Sequence, residues 1–256
     1  MGKYIYLFKL HFIQTLKNKN SLLGLTIFLI TCLIIFSNLW KIAAERMHAI
    51  DLNPDTLLWY IALNEWVLIS LPDVQDDIEE DLKTGNLSYL LPRPISYLLS
   101  KFCESLGALS ANLLVLGTVG FAFTAYMTGH IPNGFLSVIP LGLMSGILCL
   151  IFHLLIGVSV FWMEEVGPFY WLFEKLLFIF GGLMLPLAVY PKWIQTLAFL
   201  TPFPSILGQR SALAIEFELD SALQLIASLS FWAIIGITAL FVLYRKGLKM
   251  LTINGG

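Results

Sequence analysis

Six stretches of this chain are apolar with scarcely an interruption, and they leave room for little else. They cover about residues 22–40, 57–72, 106–127, 135–162, 169–190 and 223–244. A helix that crosses a bilayer needs ~20 apolar residues, so six such segments account for most of a 256-residue chain. Hydrophobic residues make up 58% of the sequence and charged residues 12%, half the ~25% usual in a soluble domain. The pattern predicts an all-α integral membrane protein with six transmembrane helices, forming one transmembrane domain over residues 1–256. The second segment is short for a span, and its helix is expected to continue past Pro72 into the acidic run that follows.

The basic residues orient the chain. Lys3, Lys9, Lys17, Lys19, Lys83, Arg93, Lys101, Lys175, Arg245, Lys246 and Lys249 fall on one side of the six spans. Only Lys41, Arg46, Lys192 and Arg210 fall on the other. Cytoplasmic loops carry the excess of Lys and Arg, so both termini are expected in the cytoplasm of a multi-pass protein. The opening residues have no signal-peptide pattern. Instead Tyr4, Phe8 and Phe12 recur every fourth residue while Lys9, Lys17 and Lys19 take other faces. That periodicity predicts an amphipathic helix over residues 1–20 lying in the membrane interface. Residues 190–220, broken by Pro191, Pro202 and Pro204, contain "KWIQTLAFL", too short to span. A short re-entrant helix on the outer side, before the sixth span, is favoured there over a plain loop.

Little in the chain suggests chemistry. No GxxxxGK[ST] phosphate loop, HExxH or GxSxG occurs, and the four histidines are scattered, so no catalytic or metal-ligating residue is assigned. The three cysteines form no CxxC pair. A net charge of −2 gives no basic field for nucleic acid. Glu65, next to Asn64 inside the second segment, is a carboxylate in the middle of a predicted span. Ionisable groups there are costly and often functional; Asn64 and Glu65 either line a translocation path or a subunit seam, or form structural hydrogen bonds to a neighbouring helix. Gly142 and Gly146 have the spacing that lets helices approach closely. Glu164, Glu165, Glu174 and Lys175 are expected to pair locally near the ends of spans four and five.

The polar insert between spans two and three, residues 73–94, is more unusual. After the acids Asp73, Asp76, Asp77, Glu79, Glu80 and Asp81 comes a break at Thr84-Gly85-Asn86. A short run then places Leu87, Leu90 and Leu91 at i, i+3 and i+4, and Pro92 and Pro94 end it. A stiff helix with an apolar face, projecting into the cytosol, needs something to dock on.

The stretch "EDLKTGNLSYLLPRPISYLLSKF" resembles the coupling segment of bacterial ABC-2 type permeases, with its acidic run, Gly-Asn, short helix and Leu-Leu-x-Pro-x-Ser. "FWMEEVGPFYWLFEKLLFIFGGLMLPLAVYPKWIQTLAFLTPFPSI" is similar to the fifth-span region of that family, and "YRKGLKML" to its basic tail. The resemblance implies the transmembrane subunit of an ATP-driven exporter of amphipathic compounds such as drugs, peptides, lipids or glycans. It implies a dimer with an identical or related permease in the bacterial inner membrane. It also implies a separate cytoplasmic ABC ATPase that holds the ATP and magnesium, with no cofactor on this chain. The coupling role would fall to Asp81, Thr84, Gly85, Asn86, Leu87, Leu90, Leu91 and Arg93. Two other readings compete: a lipid-modifying membrane enzyme whose acidic run holds magnesium, and a membrane scaffold that transports nothing.

Overall fold

The computed structural model describes residues 2–46, 53–163 and 165–254, and every regular element among them is helical. In chain order these are α1 (Gly2–Lys17), α2 (Lys19–Arg46), α3 (Pro54–Ser70), α4 (Val74–Lys83), α5 (Leu87–Leu90), α6 (Tyr97–Thr128), α7 (Phe135–Val158), α8 (Gly167–Phe180), α9 (Lys192–Phe199), α10 (Phe203–Ile206), α11 (Gly208–Ile215) and α12 (Leu219–Asn254). Among the described residues, five helical stretches are long and apolar enough to cross a membrane: Lys19–Ile42, Pro54–Lys83, Tyr97–Thr128, Phe135–Phe161 and Leu219–Met250.

The helix boundaries follow from local chemistry. Pro54 begins α3 behind Asn53, whose side chain accepts from the Asp55 amide. Ser96 caps α6 in the same way, and Gly129, at φ 71°, ends it in the left-handed conformation. Pro72 separates α3 from α4. Proline disfavours helical backbone in the residue before it, and Leu71 is extended. The second helix therefore resumes beyond the proline, as expected, but as a distinct element and not a continuation.

α3 is the axis of the fold. Leu57 through Asn64, with Trp66 and Val67, are all buried, because α2, α6, α7 and α11 pack around it. The predicted GxxxG spacing is used here. A Cβ on Gly142 would overlap the Trp66 ring, and one on Gly146 would crowd Leu109 of α6 at 3.2 Å. The N-terminal helix is separate, as the periodicity predicts. It lies along α6, with Gly107 admitting the Phe8 backbone so closely that a Cβ would overlap the Phe8 carbonyl oxygen. Its outward residues are Ile5, Tyr6, Lys9 and Ile13.

The fifth segment departs from expectation. Residues 169–190 do not form one continuous helix: α8 stops at Phe180, and at 1.5 Å per residue its 14 residues reach only about 21 Å. A Cβ on Gly181 would overlap the Leu177 carbonyl, and Gly182 sits at φ 67°, where other residues are strained. Pro186 then prevents the helix from resuming at once, leaving a single 3-10 turn at Leu187–Val189. The stretch predicted to re-enter consists of α9, α10 and α11, which pack on α8, α7 and α3.

Candidate functional site

The segment after α4 is held from several sides. Val74, Gln75 and Ile78 bury the inner face of α4 against α7. Gly157 makes that approach possible, since a Cβ there would lie 2.9 Å from Ile78 Cδ1 and 3.0 Å from Gln75 Cα. Asp81 ties the same helix to α6. Its Oδ2 is 2.7 Å from Lys101 Nζ and accepts from the Tyr97 hydroxyl at 2.8 Å. Glu79 reaches a third element. One carboxylate oxygen pairs with Lys83, while Oε2 accepts from the Val166 amide at 3.1 Å, immediately before α8. Finally, the Ser96 amide donates to the Tyr4 hydroxyl at 3.0 Å, so α1 joins the assembly.

Beyond this base the chain turns at Gly85, φ 76°, as the Thr84-Gly85-Asn86 break predicts. The face that results differs from the predicted one. Leu87 is only 3% exposed and points into the protein, Leu90 and Leu91 are half-buried, and Tyr89 stands out at 77% exposure. Thr84, Gly85, Asn86, Ser88 and Arg93 are exposed beside it. The leucine spacing correctly marks an apolar face, but in a four-residue helix that face seats the segment on its own bundle. Tyr89 is the aromatic that this turn leaves exposed. Arg93 forms no ion pair among the described residues.

A second cluster surrounds Asn64, which is fully buried. Its Nδ2 donates to the Leu183 carbonyl at 3.2 Å, and its Oδ1 accepts from the Ser211 hydroxyl at 2.6 Å. Tyr60, one turn earlier, donates to the Gly182 carbonyl at 2.6 Å, and the Gly208 amide donates to the Gly181 carbonyl at 3.0 Å. The non-helical backbone after α8 is thus satisfied by α3 and α11, as buried backbone in a membrane protein must be. Asn64 makes structural bonds. Glu65, its neighbour, is half-buried on another side, close enough to Cys32 of α2 to interact electrostatically, and makes no hydrogen bond or ion pair among the described residues.

Arg210 was counted with the outer basic residues, yet it has no exposed surface. Its Nη2 donates to the Leu63 carbonyl at 2.7 Å and its guanidinium lies 5.8 Å from the Trp66 ring centre. Nothing in its local sequence distinguishes it from a surface arginine. The local pairing expected of Glu165, Glu174 and Lys175 is not found: none forms an ion pair among the described residues, and Lys175 lies over Trp171. Glu164 lies outside the described residues. Among the described residues no three His, Cys, Asp or Glu side chains come together as metal ligands would.

Long apolar helices around one largely enclosed helix, with a polar element carried on short helices beside them, define a polytopic membrane protein of the permease type. Residues 56–255 match the model of the ABC-2 family transporter protein, and the chain belongs to that family. It is a transporter component and not itself a catalyst. Comparison with curated proteins gave no match.

Proposed function

We propose that this permease is the transmembrane subunit of an ATP-driven exporter in the bacterial inner membrane, moving an amphipathic compound such as a drug, peptide, lipid or glycan. A separate cytoplasmic ABC ATPase binds the ATP and magnesium, and the permease acts as a dimer with an identical or related copy. Both termini and residues 73–94 lie in the cytoplasm. The observation that carries this reading is the presented turn. Residues 84–93 project from a base fixed to α6, α7 and the start of α8, with Tyr89 outermost. An exposed aromatic side chain with a polar tip, carried on an anchored turn, suits a groove on a partner. Thr84, Gly85, Asn86 and Arg93 form the rim of that contact. Leu90 and Leu91 complete it, Leu87 anchors it and Asp81 positions it. Glu65, which has no hydrogen-bond or ion-pair partner among the described residues, faces the translocation path.

The test is recovery of a stoichiometric ATPase with the permease from native membranes. Replacing Tyr89 and Leu90 together by Asp removes apolar contact worth roughly 1.5–3 kcal/mol per large side chain and introduces charge. The variant is expected to insert normally and lose both the ATPase and transport. The same change at Leu33 and Phe36 of α2 is expected to impair insertion instead. A Tyr89/Leu90 variant that keeps its ATPase and full transport would overturn the assignment.

A further inference from the structure

We infer that Glu79 is the positioning residue through which movement of the 84–93 turn reaches α8. The inference rests on the coupling role proposed above and adds the route inward. The attachments of α4 are not equivalent. Those to α6 and α7 join it to helices buried along much of their length, so they act as a fulcrum. The attachment through Glu79 joins it to a helix with a single buried side chain, Leu177. Along its sides α8 is held by Leu177 and by the rings of Tyr170 and Phe173 against Phe152, His153 and Phe203, and it ends above at Gly181 and Gly182, where the chain changes direction.

The lower end is held by one carboxylate used twice. Oε1 of Glu79 pairs with Lys83, four residues along α4, which fixes the side-chain rotamer. Oε2 accepts from the amide of Val166, the residue that caps α8. Val166 has no exposed surface. If Glu79 withdrew, a buried amide would lose its acceptor, and such a group is costly to leave unmade. A carboxylate is also the favoured partner at the positive end of a helix dipole. Any displacement of α4 must therefore carry the first turn of α8 with it.

Hydrogen exchange of the full chain in lipid nanodiscs tests the contact without the ATPase. Glu79→Ala is expected to speed exchange of the Val166 amide roughly five- to tenfold, and Glu79→Gln, which keeps an oxygen acceptor, to restore most of the protection. Val166→Pro removes the donor from the other side and is expected to free residues 167–170 without touching Glu79. The second arm uses the permease purified with its ATPase, with ATP and vanadate as the probe. In the wild type, protection of both 84–93 and 167–180 should change on trapping. In Glu79→Ala and Val166→Pro the change at 84–93 should persist while that at 167–180 is lost, and Glu79→Gln should regain it. A merely structural role for Glu79 would not separate the two segments. An unchanged response at 167–180 in Glu79→Ala, or unaltered exchange at Val166, overturns the inference and leaves the docking assignment standing. A wild type whose 84–93 segment ignores ATP and vanadate overturns both.

Discussion

The ion pair between Asp81 and Lys101 should matter far more to the fold than the one between Glu79 and Lys83, although both are single carboxylate–ammonium contacts. Lys101 and Asp81 retain only 16% and 14% of their side-chain exposure, and Asp81 also holds the Tyr97 hydroxyl. Removing one partner of a fully buried pair costs about 3–5 kcal/mol, because a charge is left without compensation. The small exposure that remains here brings the expected loss for Lys101→Met to about 2–3 kcal/mol. Lys83 keeps 49% of its exposure, and exposed pairs contribute about 0–1 kcal/mol. At roughly 2–4 °C per kcal/mol for chains of this size, Lys101→Met should lower the unfolding midpoint by about 4–12 °C and Lys83→Met by less than about 4 °C. The assay is thermal unfolding of the purified permease followed by size-exclusion fluorescence. Asp81→Asn combined with Lys101→Met should cost less than the sum of the two single changes, because the second leaves no further charge stranded. Equal midpoints for Lys101→Met and Lys83→Met would refute the claim that burial fixes α4 to α6.

Other outcomes follow from single contacts. Tyr60→Phe removes the bond to the Gly182 carbonyl and should cost about 1–3 kcal/mol, since a buried acceptor is left unmatched, read as a lower unfolding midpoint. Gly107→Val places side-chain carbons where the Phe8 backbone lies; limited proteolysis should then release α1 while the remaining helices stay resistant. Glu65→Gln should alter transport, or ATPase stimulation by substrates, while leaving assembly and thermal stability within experimental error. Cysteines introduced at Thr84 and His130 into a background lacking the three native ones should differ toward an impermeant maleimide on intact cells. Position 130 should label, and position 84 only after permeabilisation.

Helical class, most of the span positions, the separate N-terminal helix and the Gly85 turn were readable because each rests on composition or on a single local preference. The apolar periodicity of residues 4–16 and the turn at Gly85 act within a few residues of themselves, whereas the separation of α3 from α4 at Pro72 departs from the continuous helix expected there. The end of α8 was not readable in that way. "FGGLMLP" is apolar enough to continue a span, and the termination depends on the Gly208 amide and the Tyr60 hydroxyl, which arrive from 27 residues later and 122 residues earlier. The burial of Arg210 was not readable for the same reason, because it is created by α3 and α7. The inward turn of Leu87 shows the limit of a periodicity argument. Spacing finds an apolar face but does not say whether the face meets a partner or the chain's own bundle.

The short fifth helix leaves a wall that no one segment completes. About 21 Å of α8 is self-sufficient, and the rest of that wall is backbone whose carbonyls at Gly181, Gly182 and Leu183 are matched, among the described residues, by donors from α3 and α11. Shifting α11 alone by the length of a hydrogen bond would strip Gly181 of its donor and take Ser211 from Asn64. In a medium without water each unmatched group costs several kcal/mol. This corner of the protein can therefore rotate as a block with α3 but has no inexpensive way to come apart. A passage through the membrane has to open along seams that lie elsewhere.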